Sequence, residues 1–312
     1  MENNLKEFWA LFDWLVPGLL GDRKGFNARF RTPIEKGGSL AAQQALNARV
    51  RPSLLRRTKD MVAAHLPEKT IITKTITLGK KERALYETIR LSLDARVRAA
   101  IAAKGFGATR ITILSALVKL RQVCCDPALL DTPEAEKIKE SAKRSRLMEL
   151  LGDLIAEGRR VVVFSQFVNM LELIRSDIEA RGWDHAWLTG DTRDRDGAVS
   201  RFQQGKTPVF LISLKAGGGG VGLTLTAADT VILYDPWWNP AVERHAMDRA
   251  HRIGQNRSVF VYRLVAEGAV EESILALQER KQALADALFE EKGGSPLGLD
   301  EADIAQLFRP LA

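Results

Sequence analysis

Two arginines three residues apart, Arg249 and Arg252, are the side chains whose type and spacing most directly imply chemistry. A guanidinium is a planar fork of donors that stays charged at any ordinary pH, and two on one helix face can clamp a chain of phosphates. The competing reading is a surface pair between Asp248 and Arg252, four apart on a helix and worth roughly 0.2–0.5 kcal/mol. Upstream, Gly217, Gly219 and Gly222 satisfy G-x-G-x-x-G after the apolar run Val209 to Ser213, and Asp235 closes the next run. That pattern suggests a dinucleotide cradle, but only Leu223 to Thr230 separates the last glycine from the next strand. This is too short for the helix whose N-terminus would hold a pyrophosphate. Gly205-Lys-Thr207 imitates the end of a phosphate-binding loop, yet Ser200 stands where glycine is required and a strand is expected to follow.

The elements that must position these residues read as an α/β alternation. Val209 to Ser213 and Val231 to Asp235 are β-branched apolar runs of the kind buried parallel strands show. Ligands in open α/β sheets bind beyond the carboxyl ends of the strands, which directs attention to the loops after these two. Asn239 as cap and Pro240 in the first turn start a helix expected to reach about Arg252, with Gly254 ending it and both arginines on one face. Before it the chain predicts a helix to about Glu157, strand Arg160 to Phe164, helix Val168 to Arg181, strand His185 to Leu188 and helix Arg193 to Gln203. After it come strand Val259 to Leu264 and helix Ala269 to Glu291. Such a rhythm calls for a parallel sheet covered by helices on both faces with right-handed crossovers. Residues 5 to 66 read as short helices broken at Pro17-Gly18, Gly21, Gly37-Gly38 and Pro52. Thr70 to Leu78 is a β-branched strand, followed by helices Lys80 to Ala102 and Ile111 to Val123. The charged stretch Asp131 to Arg146 reads as a solvated linker or helix start.

Composition sets bounds. The chain has 312 residues, 46% of them hydrophobic, enough for a sizeable core and about two units. Lys and Arg number 46 against 39 acids, a formal charge of +7, which suits a polyanionic partner. The only cysteines, Cys124 and Cys125, are adjacent; they read as buried core residues, with no disulfide framework and no metal site. No apolar run reaches membrane-spanning length and the amino terminus, with Glu2 and Lys6 around Trp9, lacks the pattern of a signal peptide; with the cysteine usage, a cytoplasmic protein is expected, nucleoid-associated if bacterial.

Several motifs in order carry a resemblance. Asp248-Arg-Ala-His-Arg-Ile-Gly-Gln255 resembles motif VI of the Swi/Snf family of superfamily-two DNA translocases. Leu211-Ile-Ser-Leu-Lys-Ala-Gly-Gly218 with Thr224-Leu-Thr-Ala-Ala-Asp229 resembles motif V, Val161 to Phe167 motif IV, and Trp238-Asn-Pro240 the tryptophan turn between V and VI. Arg51-Pro-Ser-Leu-Leu-Arg-Arg-Thr-Lys59 and Leu120-Arg-Gln-Val-Cys-Cys-Asp-Pro127 resemble signatures of the family's helical protrusions. Three departures stand out: Asp126 and His245 replace the usual histidine and glutamine, and the glycine run Gly217 to Gly220 is about two residues longer.

The resemblance implies a RecA-like parallel sheet flanked by helices, with N-terminal helical protrusions. It divides the chain into a protrusion segment at 1–69, a linker strand and second protrusion at 70–140, a RecA-like lobe at 141–275 and C-terminal helices at 276–312. Glu2 to Trp9 resembles the segment after motif III, which implies the carboxyl-terminal part of a larger motor. The activity implied is ATP-dependent translocation on double-stranded DNA or nucleoprotein, with ATP and Mg2+ held mainly by the N-terminal RecA-like lobe of the same polypeptide. Arg249 and Arg252 would act as arginine fingers, Gly217 and Gly218 would let backbone approach the nucleotide, and Gln255 would support the motif VI turn. DNA-backbone contacts would come from Ser165, Gln166, Thr189, Gly190, Lys215 and Thr224, with Trp238 touching the duplex groove. Residues 1–312 alone would not hydrolyse ATP. The alternatives left open are a non-enzymatic DNA- or polymerase-binding module with motor-like motifs and a nicotinamide-dependent oxidoreductase.

Overall fold

The computed structural model describes residues 5–35, 39–54, 66–214, 216, 223–287 and 301–311. The chain divides into two compact units, Met1–Ala64 with Arg280–Leu299, and His65–Glu279 with Asp300–Ala312.

The first unit is helical among its described residues. Helix α1 (Leu5–Leu15) buries Phe8 and Phe12, four apart and therefore on one face. It packs with Leu20, Phe26 and Phe30, and with Leu46 and Val50 of α2 (Leu40–Val50). Gly18 and Gly21, at φ +82° and +73°, turn the chain after α1, and the Trp9 indole donates to the Gly21 carbonyl at 3.0 Å. Only Arg51 to Leu54 of the first protrusion signature lie within the described residues.

The second unit is built on a six-stranded parallel sheet: β1 (Lys69–Ile76), β2 (Val161–Ser165), β3 (His185–Leu188), β4 (Val209–Ser213), β5 (Thr230–Leu233) and β6 (Val259–Ala266), in the order β1-β6-β5-β2-β4-β3. Every residue of β2, β4 and β5 is buried, as expected where helices cover both faces. Side-chain alternation sorts them. Val162, Phe164, Phe210, Ile212, Val231 and Leu233 pack with Phe202 of α7 (Arg195–Gln203) and Ala246 and Met247 of α8 (Pro240–Met247). Val161, Val163, Val209, Leu211 and Ile232 face Leu147 and Leu151 of α5 (Ala142–Ala156) and Met170 and Ile174 of α6 (Val168–Ala180). This is the RecA-like α/β architecture, a parallel sheet between two helical layers.

Helices α3 (Lys80–Lys104) and α4 (Arg110–Cys125) precede the doubly wound core. After β6 come α9 (Val270–Ala287) and α10 (Glu301–Leu307). Cys124 and Cys125 are both buried, and burial pushes their thiols up. Among the described residues no helix is long and apolar enough to cross a membrane.

Two sequence-based expectations about elements are corrected. β5 ends at Leu233, so Asp235 lies past the strand. α8 ends at Met247, five residues short of Arg252, and the two arginines lie on the turns that follow. At the stop the backbone tightens to i→i−3 bonds, Arg249 N–H to Ala246 O and Ala250 N–H to Met247 O, both at 3.2 Å, and the carbonyls beyond serve other partners: Leu225 N–H donates to Arg249 O at 2.8 Å and the Gln255 amide to Ala250 O at 3.0 Å. A helix continuing past Ala250 would need those acceptors for its own i→i−4 bonds.

Candidate functional site

The residues singled out by sequence fall into two groups. The first surrounds the chain returning from β4 to the start of β5. Arg249 Nη1 donates to Leu223 O at 3.4 Å and Arg252 Nη1 to Thr224 Oγ1 at 3.5 Å, so both guanidiniums converge on adjacent residues, the second of which opens the later part of motif V. Arg249 is half-buried and Arg252 exposed. Burial, reinforced by the neighbouring Arg252 charge, lowers the Arg249 pKa from its ordinary value. Two like charges held this close favour an anion beside them. Gly217, Gly218 and Lys215 lie outside the described residues. Among the described residues no group of three or more His, Cys, Asp or Glu could hold a metal ion.

Gln255 ties this group together. Its Nε2 amide donates to the carbonyls of Thr226, Ala228 and Ala250 at 3.1, 2.7 and 3.0 Å, and its Oε1 accepts from Arg257 N–H at 2.9 Å. The side chain is buried and fully committed to backbone, which fits support of the motif VI turn and leaves nothing to contact a nucleotide. Gln255→Leu strips buried carbonyls of their donor, and the expected cost is about 2 kcal/mol. A urea titration showing no fall in stability would contradict this.

The second group sits at the carboxyl ends of β2, β3 and β5. Ser165 closes β2 with its hydroxyl spent: Oγ donates to Asp235 Oδ1 at 2.6 Å and accepts from Phe167 N–H at 3.1 Å. It is fully buried, so no hydroxyl remains for DNA. Gln166 N–H donates to Asp235 Oδ1 at 3.2 Å, and its side-chain oxygen accepts from Arg121 Nη1 at 2.7 Å. Thr189 is buried and its N–H donates to Thr192 Oγ1 at 2.9 Å, whereas Gly190 is exposed. β3 lies two strands from β2, so Thr189 stands about 10 Å from Ser165. Trp238 is partly exposed beside Trp237.

The sequence reading missed the side chains that hold this second group. Arg121, from the second protrusion signature, reaches Gln166, Asp235 and the Pro236 carbonyl. The rings of Phe167, Trp237 and Trp238 lie 5.7–5.8 Å from its guanidinium carbon. Burial raises the Asp235 pKa, opposed by Arg121 and by the Ser165 hydrogen bond. Glu243, buried on α8, accepts from Trp237 N–H at 2.7 Å and pairs with Arg263 at 3.1 Å. Below the sheet, Lys143 and Glu271 form an ion pair at 2.6 Å with both side chains fully enclosed. A signal existed for Arg121: it occupies the stripe of α4 that Ile113, Ala116, Leu117, Leu120 and Cys124 bury, where a charge needs a partner across the interface. Asp126, the departure from histidine, pairs with Arg144 at 3.3 Å, and Arg144 pairs also with Asp177.

A parallel RecA-like sheet with these motifs defines a helicase-like protein of superfamily two. Residues 142–254 match the helicase conserved C-terminal domain, and residues 1–129 match the SNF2-related domain. YwqA of Bacillus subtilis is 38% identical over 304 residues, covering 93% of this chain and 32% of that protein. Human SWI/SNF-related matrix-associated actin-dependent regulator of chromatin subfamily A member 1 is 35% identical over 294 residues, covering 91% and 28%. The Sulfolobus solfataricus SWI2/SNF2 ATPase core in complex with dsDNA is 32% identical, with a TM-score of 0.63 over 96% of this chain and 63% of that one. The chain belongs to the Snf2-type family of superfamily-two helicase-like proteins, and spans about a third of the length of its relative YwqA.

Proposed function

We propose that this chain is the second motor lobe of an ATP-dependent double-stranded DNA translocase or remodeller. Arg249 and Arg252 would reach the terminal phosphate of ATP held, with Mg2+, mainly by an N-terminal RecA-like lobe of the same polypeptide. The single observation behind this reading is the convergence of both guanidiniums on Leu223 and Thr224. Bound ATP would supply the phosphoryl group transferred to water. The chain's contribution is to set two fixed positive charges where negative charge develops. Residues 1–312 would carry no hydrolysis of their own, since the sequence has no phosphate-binding loop.

On the DNA side, Gln166, Gly190, Lys215 and Trp238 would contact the backbone and groove, with Ser165, Thr189 and Thr224 shaping the loops beneath them. A motor that moves along DNA must accept every sequence, so its contacts should be to phosphates and sugars. The test is binding of the chain to duplexes of unrelated sequence across a salt series. Affinities are expected to agree between sequences within about threefold and to fall steeply with salt, and Lys215→Ala should reduce the slope of log K on log salt by about 0.9. A strong preference for one sequence, or binding indifferent to salt, would reject the reading.

A further inference from the structure

Helix α4 is apolar on two sides, and one of them faces water. Ile113, Ala116, Leu117, Leu120 and Cys124 form its buried stripe. Ile111, Leu114 and Val118 fall at i, i+3 and i+7 and share a second face. Ile111 is 79% exposed and Val118 39%, while Leu114 is half-buried. A helix apolar all round belongs in an interior, so this face has the character of one that is covered by something else. The charge around it is equally uneven. Residues 80–125, which are α3, α4 and the turn between them, hold ten Lys and Arg against three acids. That excess of seven equals the formal charge of the whole chain, and the remainder carries thirty-six of each sign. Lys80, Lys81, Arg96, Lys104, Arg110 and Lys119 are all exposed, and among the described residues none of the six has an ion-pair partner. Exposed arginines elsewhere in the same unit are paired, as Arg146 is with Glu149 and Arg201 with Asp184. At about 3.6 residues per turn, Arg110 and Lys119 fall on opposite borders of the Ile111, Leu114 and Val118 stripe.

We propose that the outward face of α4 is a docking surface for another protein, and that its occupant is an acidic amphipathic helix, with large apolar residues along one side and Asp or Glu beside them. The apolar stripe supplies the dry centre of such an interface, and the unpaired cations on its borders supply the charged rim. Complementary charge on the partner sets orientation and speeds the encounter. Duplex DNA is the poorer fit to the same face. A phosphate backbone answers the cations but leaves Ile111 and Val118 in water, whereas an acidic helix answers both. None of these residues belongs to the groups given to ATP or to DNA, so the proposal stands apart from the motor reading.

The test is binding of a fluorescent helical peptide to the chain and to the intact polypeptide. The probe is about 20 residues of Leu and Glu with Leu recurring at i, i+3, i+4 and i+7. A second probe has the same residues in scrambled order, which keeps the charge and removes the one-sided apolar face. The first is expected to bind with a Kd of about 10 μM and the second about tenfold more weakly. Ile111→Ser and Val118→Ser should each weaken binding of the first probe about tenfold. Both side chains stand in water, so the fold tolerates the changes, and Ile111→Lys is measured alongside as a second variant at the more exposed position. Arg110→Glu combined with Lys119→Glu should weaken binding about tenfold at low salt and less at high salt, because exposed charges are screened. Absent binding, a scrambled peptide held as tightly, or apolar variants that bind as the wild type does, overturns the proposal. Duplex affinity that falls with Arg110→Glu and Lys119→Glu, in a protein that ignores the peptide, makes nucleic acid the occupant and overturns it too. Binding to the chain but not to the intact polypeptide shows that another segment of the same protein covers the face, which also overturns it.

Discussion

Arg252→Ala in the intact polypeptide is expected to lower DNA-stimulated ATP hydrolysis by about three orders of magnitude, the usual worth of an arginine finger. Arg249→Ala is expected to act in the same direction. The two side chains are unequal in the structure: Arg249 is half-buried against Leu223, whereas Arg252 is exposed and touches only the Thr224 hydroxyl at 3.5 Å in the bonds described. The exposed group is the freer to move onto a phosphate across a cleft, so Arg252 should carry the larger loss. Arg252→Lys should recover little, because an ammonium replaces a planar fork with a point charge. The measurement is turnover at saturating ATP and saturating duplex, with duplex affinity determined in parallel. A loss under tenfold at Arg252, or a loss explained by weaker DNA binding, would remove the arginine-finger role.

Much of the fold was legible because its strands obey local rules. Val209 to Ser213 and His185 to Leu188 were bounded correctly to the residue, since short runs rich in apolar and aromatic residues between polar loops leave few other options. The end of α8 was not legible. Asn239 and Pro240 mark its start through local capping, and the structure shows that cap, with Asn239 Oδ1 accepting from Ala241 N–H at 3.0 Å. Past its stop the carbonyls of Arg249 and Ala250 bond Leu225 N–H and the Gln255 amide instead of extending the helix. Those partners are separated from the helix in sequence or lie beyond its expected end, and no local preference encodes them.

The candidate site divides the same way. Motif spacing located Arg249, Arg252, Gln166 and Trp238, but could not say which polar groups are spent internally. Ser165 and Gln255 belong to motifs as clearly as Gln166 does, yet both are committed to protein partners. Conversely, Arg121, Lys143 and Glu271 looked like ordinary charges on helices. Each occupies an apolar stripe, as Lys143 does with Leu147, Leu151 and Leu154. A charge in that register is the sequence signature of a buried partner, and in all three it marks a tie between segments far apart in the chain.

The Lys143 tie should dominate the stability of the lobe. Lys143 Nζ meets both oxygens of Glu271 at 2.7 and 2.6 Å, and Glu271 also accepts from Ala266 N–H at 2.8 Å. The ring of Tyr234 lies 5.2 Å from the ammonium. α5 and α9 are thereby pinned to the end of β6. Lys143→Met leaves a carboxylate enclosed without a counter-charge, and the expected loss is about 3–5 kcal/mol, a large share of the roughly 5–15 kcal/mol by which domains are stable. Replacing both partners, Lys143→Met with Glu271→Leu, should restore most of it, since no charge is then stranded. The single variant should carry a pH signature. Burial already raises the Glu271 pKa above 4.5, and Lys143 is the main influence lowering it. Without Lys143 the folded-state value rises further above the unfolded one. Stability is then fully present below the unfolded value near 4.5 and declines as pH increases through the folded value. Urea unfolding of Lys143→Met at pH 5 and pH 7.5 should therefore show the variant recovering at the lower pH relative to wild type. Equal deficits at both, or a double variant no more stable than the single one, would show that the ion pair is not what holds these helices to the sheet.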